Sequence, residues 1–389
     1  MKILSFTGSR AEYYILRPLF RKLSALENVE FRLIVSGGII KEQENKTLND
    51  IKTDNINILR TINIPPIYSN HSESIGYLCL KLTPVISEFN PDICIVYADR
   101  FESFAFAIAS MHANKILLHI EAGDITEGGT YDDQIRHCIS KMSHLFCTST
   151  ENGISIVRNL GEENWRIIHS GLLSYDDMAL INNVDKENLK KQLNMDDNLP
   201  IIIATMHPLT LSVKKTKIES KAFFEALYDL SIQVSAHFIV TSPNLDRGHE
   251  FIKKEIDKLI SSNKNILFID SLGGYRYQTL MSLSSERTVI VCGNSSSIIK
   301  EAPFYNAFSL NVGSRQKGRE SASTQINCKA DKSLISKKLK ELLNLKKFNC
   351  SNPYFVEDSS TKVINFIFQI LKSYSKEEIL NKRWNFNNH

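Results

Sequence analysis

The chain has 389 residues, of which 42% are hydrophobic and 23% charged, and its formal net charge is +4. This composition is typical of a globular protein and excludes disordered and fibrous classes. The length predicts two domains, and the scattered lysines are interpreted as solvated helix faces, which argues against nucleic-acid binding.

Short apolar runs alternate with helical patterns from the start of the chain. In order they are "KILSF", a helix over about residues 18–26, "VEFRLIVSG", a helix around 74–89, "DICIVYAD", a helix over 102–113, and "KILLHIE". Continuous apolar runs separated by helices predict parallel strands that are covered on both faces of a sheet.

A second series of the same kind follows. Its apolar runs are "PIIIATMH", "HFIVTSPN", "NILFIDSL", "TVIVCGNSSS" and "AFSLNVGS". Two series predict two Rossmann-like domains, with a boundary in the polar stretch between residues 176 and 200, so we assign domains to 1–178 and 179–359. By its pattern alone, the last amphipathic segment, "STKVINFIFQILKSY", fits either domain.

Ligands of open α/β sheets bind at the carboxyl ends of the strands, so the polar residues there are the candidates. After the first strand, "TGSRAEY" forms a turn without a GxGxxG pattern, which disfavours dinucleotide binding. Arg10 in this turn is either a surface residue or the partner of an anion. Asp99, after "DICIVYA", is either a helix cap or a catalytic group.

The stretch "HIEAGDITEGGTYDDQIRHCISKMSH" concentrates acidic residues after the "KILLHIE" strand. Glu121 lies at the strand end itself, about ten residues before a helix that we expect to begin at Tyr131. Helix capping therefore does not explain Glu121. Gly123, Gly128 and Gly129, which lie between Glu121 and the helix, allow Glu121 to approach Asp132.

The helix that follows has a predicted capping box of Thr130 and Asp133. Its predicted core face consists of Ile135, Cys138, Ile139, Met142 and Phe146. Asp132 and Arg136, four residues apart, should pair at the edge of this face, either as an ordinary surface pair or as a carboxylate with a tuned pKa. His137 falls on the opposite side, so no metal site is expected.

In the second half, His207 follows a buried strand as either a ligand-binding or a structural imidazole. Ser295, Ser296 and Ser297 precede a short helix that leads to Glu301, which predicts a phosphate cradle. The next strand is followed by Arg315, Lys317 and Arg319. Several cations beside such a cradle favour a diphosphate ligand, although a basic surface loop would have the same composition.

The seven cysteines include no CxxC pair and no zinc-like spacing, so they are interpreted as reduced, mostly buried thiols. The amino terminus has no signal-peptide pattern, and no apolar run approaches membrane-spanning length. We therefore expect a cytoplasmic protein without a membrane segment.

Taken together, the motifs resemble those of the UDP-N-acetylglucosamine 2-epimerase family, and most closely its hydrolysing branch. The matching stretches are "TGSRAEY", "ADRFE", "HIEAGDITEGGTYDDQIRHCISKMSH", "SGLLSYD", "HPLTLS", "GNSSS", "KEAP" and "GSRQKGRES". The resemblance covers nearly the whole chain. It implies a GT-B-like α/β fold of two Rossmann-like domains facing a central cleft, with a final helix, about residues 360–389, packing back on the first domain.

The resemblance also implies roles for individual residues. The expected catalytic residues are Asp99, Glu121, Asp132 and His207, and the expected nucleotide-binding residues are Arg10, Arg136, Ser295, Ser296, Ser297, Glu301 and Arg319. There are departures: Ala98 stands where the family usually has glycine, and a histidine usual after the second strand is replaced within "SGGIIKEQ".

The implied activity is release of UDP from a UDP-sugar with inversion at C2, giving an N-acetylmannosamine-type sugar for sialic or legionaminic acid biosynthesis. The resemblance implies no cofactor, no metal and a homo-oligomer, dimer or tetramer. A non-hydrolysing epimerase and a GT-B glycosyltransferase are the alternatives. The sugar itself, N-acetylglucosamine or its 2,4-diacetamido analogue, stays open.

Overall fold

A computed structural model of the chain describes residues 1–42, 45–68, 70–126, 131–209, 211–244, 246–346 and 350–384. The chain divides into two compact units. The amino-terminal unit comprises the described residues of Met1–Asp124, Tyr131–Asp177 and Tyr354–His389, and the carboxyl-terminal unit comprises those of Ile125–Thr130 and Met178–Pro353. The predicted α/β class is confirmed, because each unit is built on a parallel sheet with helices between its strands.

The amino-terminal unit contains seven parallel strands. They are β1 (Lys2–Thr7), β2 (Glu30–Ser36), β3 (Ile58–Ile62), β4 (Ile93–Tyr97), β5 (Ile116–Ile120), β6 (Leu145–Thr148) and β7 (Ile167–His169). The helices between and after them are α1 (Arg10–Ala25), α2 (Lys46–Thr53), α3 (His71–Phe89), α4 (Phe101–His112), α5 (Asp132–Met142), α6 (Glu151–Asn159) and α7 (Tyr175–Met178). The strand order is β3-β2-β1-β4-β5-β6-β7, which places β4 and β5 side by side.

The carboxyl-terminal unit repeats the arrangement with six parallel strands. They are β8 (Ile201–Thr205), β9 (His237–Thr241), β10 (Ile266–Ile269), β11 (Val289–Gly293), β12 (Phe308–Val312) and β13 (Gln325–Cys328), in the order β10-β9-β8-β11-β12-β13. Its helices are α8 (Asn183–Gln192), α9 (Val213–Ser231), α10 (His249–Ser262), α11 (Gly273–Ser282), α12 (Ser296–Lys300) and α13 (Lys332–Asn344).

Alternate residues of the central strands enter cores on opposite faces of each sheet. Ile93 and Ile95 of β4 pack in one cluster, and Cys94 and Val96 pack in another. This follows from the two-residue period of a strand. Every residue of β4 and β5 is buried, which is why these strands are continuous apolar runs in the sequence.

Two sequence predictions need correction. The first helix begins at Arg10 rather than near residue 18, because Ser9 and Glu12 form a capping box, and Pro18 lies inside the helix. Four strands were also missed. They are β3, β6, β7 and β13, which have only three to five residues each and, in β3 and β13, half-exposed side chains.

The carboxyl-terminal segment belongs to the amino-terminal unit. It contains α14 (Ser359–Ser373), whose Val363, Ile367 and Ile370 join the core beside α1, and α15 (Lys376–Leu380). The buried Arg166 side chain donates hydrogen bonds to the carbonyl oxygens of Glu378, Ile379 and Asn381, which holds the end of α15 in place.

Among the described residues, no helix combines the length and the apolar character needed to cross a membrane.

Candidate active site

The two central strands of the amino-terminal unit end at the same level. Tyr97 of β4 is in register with Ile120 of β5, and the next residues, Ala98 and Glu121, have φ angles of 50° and 60°. A non-glycine residue in this left-handed region carries a cost of about 1 kcal/mol. Such conformations cluster at functional sites. Ala98, which replaces the glycine usual in the family, therefore has a backbone conformation that favours glycine.

Glu121 is buried at this strand end, with 3% of its surface exposed. The Tyr97 hydroxyl donates a hydrogen bond to its carboxylate, and burial together with the Glu121 charge raises the pKa of Tyr97 well above its usual value. Tyr97 therefore stays protonated and orients the Glu121 carboxylate. Its position in the sequence, two residues before Asp99, is the only signal for it.

His119 supports the same turn from inside the sheet. Its Nε2 lies 2.9 Å from the Ala98 carbonyl oxygen and its Nδ1 lies 3.0 Å from the Ser140 hydroxyl. Burial lowers the pKa of His119 to about 4, so the ring is neutral near pH 7. The carbonyl only accepts, so Nε2 carries the proton and donates to Ala98.

Arg136 forms a different set of contacts from the one predicted. It is 1% exposed, forms an ion pair with Asp99, and donates from Nη1 to Asp133 at 3.0 Å and to the Asp124 carbonyl oxygen at 2.8 Å. The predicted Asp132–Arg136 pair is therefore wrong. The guanidinium points into the unit, where Asp99 and the Asp124 carbonyl need a donor.

Asp132 is the first residue of α5 and is partly exposed. Within the described part of the chain its carboxylate has no hydrogen bond or ion pair. Thr130 of the predicted capping box lies outside the described residues. On the predicted core face, Ile139 is buried but Cys138 is exposed, so that assignment is wrong for Cys138; His137 is half-buried rather than solvent-facing.

A second buried carboxylate, that of Glu12, lies close to the end of β1 and was not predicted from the sequence. Glu12 accepts hydrogen bonds from the backbone N–H groups of Gly8 and Ser9 and from the Ser103 hydroxyl. Burial raises the pKa of Glu12 to about 7, which the nearby Arg100 partly opposes. The SxxE spacing of its capping box was the available signal. Arg10, one residue after Ser9, is exposed and lies 3.7 Å from the Glu42 carboxylate.

In the carboxyl-terminal unit, His207 follows β8. Its Nδ1 accepts a hydrogen bond from the Asn244 N–H group at 3.1 Å, which leaves the Nε2 proton as a donor. Burial, with a further effect of Arg315, lowers the pKa of His207 to about 3. The backbone of His207 is held by the Asn294 side chain through two hydrogen bonds of 2.6 and 2.9 Å. The residue therefore presents a neutral N–H group.

Two of the serines after β11 form hydrogen bonds with each other. The Ser295 hydroxyl accepts from the Ser297 N–H and hydroxyl groups, and the Ser297 hydroxyl also lies 3.1 Å from the Tyr277 hydroxyl. Ser296 is exposed, and Glu301 ends the helix. Because α12 has only five residues, its dipole contributes less attraction than the sequence argument assumed.

Hydrogen bonds hold the loop after β12 to Asn294, in the turn that follows β11. Arg315 and Gln316 donate to the Asn294 carbonyl oxygen at 3.3 and 3.0 Å. Arg319 donates to the Thr126 hydroxyl at 3.2 Å. Of the predicted cations, Arg315 is thus held at Asn294, the residue before Ser295.

Among the described residues, no group of three or more His, Cys, Asp or Glu side chains is arranged to hold a metal ion. All seven cysteines are free thiols, three of them buried.

These features can be compared with known proteins. A family model described as UDP-N-acetylglucosamine 2-epimerase matches residues 21–368. The chain belongs to the UDP-N-acetylglucosamine 2-epimerase family. The prediction of this family is therefore confirmed.

Members of the family differ in the substrates that their names give. The chain is 29% identical over 385 residues to the UDP-N,N'-diacetylbacillosamine 2-epimerase (hydrolyzing) of Legionella pneumophila, covering 98% of both chains. It is 31% identical over 326 residues to the GDP/UDP-N,N'-diacetylbacillosamine 2-epimerase (hydrolyzing) of Campylobacter jejuni, covering 82% of each.

A solved structure of a family member has the same fold. The UDP-GlcNAc 2-epimerase of Neisseria meningitidis, bound to UDP-GlcNAc, matches with a TM-score of 0.81 at 18% identity, over 95% of this chain and 100% of that one.

Proposed function

We propose that this chain is a hydrolysing 2-epimerase that converts UDP-N-acetylglucosamine, or its 2,4-diacetamido-trideoxy analogue, into UDP and an N-acetylmannosamine-type sugar. Two observations support this proposal. Relatives named as hydrolysing enzymes match over 98% and 82% of the chain. The observation that carries the proposal is the Glu121 carboxylate, buried and oriented by Tyr97 at a strained strand end beside Asp99.

The first half of the proposed reaction is an elimination. A carboxylate removes the proton at C2 of the sugar, the C1–O bond breaks, and UDP leaves with the bonding electrons, which gives a 2-acetamidoglucal. In the second half, water adds at C1 and a proton returns to C2 from the opposite face. Each half needs a positioned base and a positioned acid.

We assign the proton transfers to Glu121 and Asp132, with Asp99 as an additional acid, base or orienting group. Their environments differ: Glu121 is buried beside Tyr97, Asp132 is partly exposed at a helix start, and Asp99 is paired with Arg136. Arg136 then acts by holding Asp99 rather than by binding the nucleotide.

Departing UDP gains negative charge on a phosphate oxygen, which needs preorganised donors. We assign this role to the neutral N–H group of His207 and to Ser295, Ser296, Arg10 and Arg319, and we assign Ser297 and Glu301 to nucleotide binding. Hydrogen bonds with Asn294 hold the His207 backbone and the Arg315–Gln316 part of the basic loop.

Product analysis tests the reaction type. The purified protein is incubated with each of the two UDP-sugars in deuterated water, and the products are identified by mass spectrometry and NMR. We expect free UDP in amounts equal to a free sugar that carries deuterium at C2. UDP-linked product would indicate the non-hydrolysing alternative, and release of UDP without deuterium at C2 would indicate a glycosyltransferase.

Replacing the proposed acid and base tests the residues. We expect Glu121→Gln and Asp132→Asn to lower turnover by roughly two to four orders of magnitude while UDP binding, measured by calorimetry, stays within about threefold. Glu88→Gln, which changes an exposed carboxylate on α3, should leave turnover unchanged. Turnover near that of the parent in either site variant would refute its assignment.

The cytoplasmic location and the homo-oligomeric state stay predictions. Gel filtration with light scattering measures the second directly.

A further inference from the structure

The carboxyl-terminal unit contains a pocket of about 490 Å³ that the proposed reaction does not explain. It lies at the carboxyl ends of β12 and β13, beside the first turns of α9. Its volume is within the range of roughly 300–1,000 Å³ that is usual for small-molecule sites. Of the residues predicted to contact the nucleotide or its diphosphate, Lys317 and Arg319 are among those that line it.

Three side chains that line this pocket keep a hydrogen-bond acceptor unused. Glu219, Asn311 and Gln316 are each more than nine-tenths buried, and Glu219 Oε2, Asn311 Oδ1 and Gln316 Oε1 have no hydrogen-bond partner within the described part of the chain. A buried acceptor without a partner costs about 1–3 kcal/mol, so three in one place are unusual. Three such oxygens are suited to a ligand that donates several hydrogen bonds.

The orientation of these groups is fixed by their other contacts. The Asn311 amide nitrogen donates to Asn327 at 2.9 Å, and the Gln316 amide nitrogen donates to the Asn294 carbonyl oxygen at 3.0 Å, so in each case the amide oxygen is the unused atom. The Glu219 carboxylate accepts a hydrogen bond from the Ser314 hydroxyl at 3.4 Å through Oε1. Oε2 lies against Gly313, where an added Cβ would come within 2.2 Å of it.

The remaining charged residues of the pocket wall are basic. Lys215, Lys317, Arg319 and Lys329 line it together with the single carboxylate of Glu219. The three lysines are exposed, so their ammonium groups lie at the rim while the acceptors lie deeper. A net positive rim favours an anionic ligand.

We propose that this pocket binds an anionic polyol of the sugar phosphate class. Its hydroxyl groups donate to Glu219, Asn311 and Gln316, and its phosphate lies at the rim beside Lys215 and Lys329. A neutral sugar lacks the anion that the rim favours, and inorganic phosphate near neutral pH carries only one or two hydroxyl donors, fewer than the three acceptors can use. The proposal concerns binding alone and does not depend on the proposed reaction.

Calorimetric titration of the full chain tests the proposal with glucose 6-phosphate and glucose 1-phosphate, and with glucose and inorganic phosphate as partial ligands. We expect at least one sugar phosphate to bind about tenfold more tightly than either partial ligand, since each tenfold step needs only about 1.4 kcal/mol. Because Arg319 lines the pocket and is also assigned to UDP, saturating UDP should weaken this binding only in part. No binding of either sugar phosphate, no advantage over inorganic phosphate, or complete displacement by UDP would overturn the proposal.

Variants identify the residues. Glu219→Gln should weaken sugar phosphate binding about tenfold. The ligand hydroxyl groups donate to a charged carboxylate in the parent but to a neutral amide in the variant, and hydrogen bonds to charged groups are stronger. Lys329→Ala, which changes an exposed lysine, should weaken it about threefold and keeps the test informative if Glu219→Gln fails to fold. Lys221→Ala changes an exposed lysine of α9 that does not line the pocket and should have no effect. Unchanged binding in the Lys329 variant would contradict the rim assignment.

Discussion

Ala98 shows how the end of a strand is shaped by one residue. Its φ of 50° is unfavourable for any residue with a Cβ. Two hydrogen bonds nevertheless hold the turn, one from His119 Nε2 to the Ala98 carbonyl oxygen and one from the Ala98 N–H group to the Ile120 carbonyl oxygen. The surrounding contacts thus overcome a local cost of about 1 kcal/mol. The residue that follows, Asp99, is directed toward Arg136.

We expect Ala98→Gly to raise the free energy of unfolding by no more than about 0.5 kcal/mol, because the relief of about 1 kcal/mol of strain at positive φ is partly offset by the greater chain entropy of glycine, about 0.5–1 kcal/mol. Ala113→Gly is the matched control: Ala113 ends α4 with a φ of −85°, so glycine there should lower the free energy of unfolding. Urea denaturation measures both. A less stable Ala98→Gly protein would contradict the account of strain at this turn.

The buried guanidinium of Arg136 leads to a second prediction at this scale. Arg136→Met removes the partner of Asp99 and leaves the carbonyl oxygen of Asp124 without its donor. We expect the free energy of unfolding to fall by about 3 kcal/mol, as is usual when one member of a buried pair is removed. Asp133→Asn keeps a hydrogen-bond acceptor at the exposed side and should cost less than about 1 kcal/mol. Urea denaturation at pH 7 separates the two, and equal losses would contradict the central role of the Asp99 pair.

Among the elements, α15 depends on residues far from it in the sequence. Arg166 donates to carbonyl oxygens at its end, and Lys382 donates to the carbonyl oxygens of Lys141 and Ser143 and lies 2.9 Å from the buried Glu162 carboxylate. Helix ends leave such carbonyl groups without partners, so these cations replace the missing donors. A five-residue helix would not be stable without these contacts.

Arg166→Met should therefore release α15 before the rest of the unit unfolds. We expect trypsin to cut at Lys376, Lys382 or Arg383 at least about tenfold faster than in the parent, since local opening controls such cleavage. Arg158→Met, which changes an exposed arginine of the same unit, should leave the rate unchanged. Mass spectrometry of the early fragments locates the cuts, and first cuts elsewhere would contradict this role of Arg166.

For the whole molecule, three histidines whose pKa is lowered in the folded chain link stability to pH. Burial lowers the pKa of His119 and of His144 to about 4 and that of His207 to about 3. In the unfolded chain a histidine takes up a proton below pH ~6.5. The unfolded state therefore binds more protons between pH ~6.5 and ~4, so the stability present above pH ~6.5 is lost as the pH falls.

Each histidine should lower the free energy of unfolding by about 2 kcal/mol between pH 7 and pH 5. Glu12, with its pKa raised to about 7, works in the opposite sense over this range, so a variant is needed to isolate one histidine. His144→Asn keeps an acceptor for the Leu117 N–H group and removes the titration. Urea denaturation should show a smaller loss between the two pH values in this variant, and an unchanged loss would contradict the prediction.

The parts of the fold that were predictable are those with a strong local signal. Fully buried strands such as β4 and β5 are continuous apolar runs, and the strand-end rule then selects Asp99 and Glu121. The partner of Arg136 was missed because Asp99 comes from a different strand, and helical spacing describes only neighbours on the same helix. The unused acceptors of Glu219, Asn311 and Gln316 come from three elements, so only the folded chain places them together.

The left-handed backbone at Glu121 has a consequence for the evolution of this chain. Glycine at this position would relieve the strain at the cost of the carboxylate that we propose as catalytic. Selection for activity is then what keeps a glutamate where the backbone by itself would favour glycine.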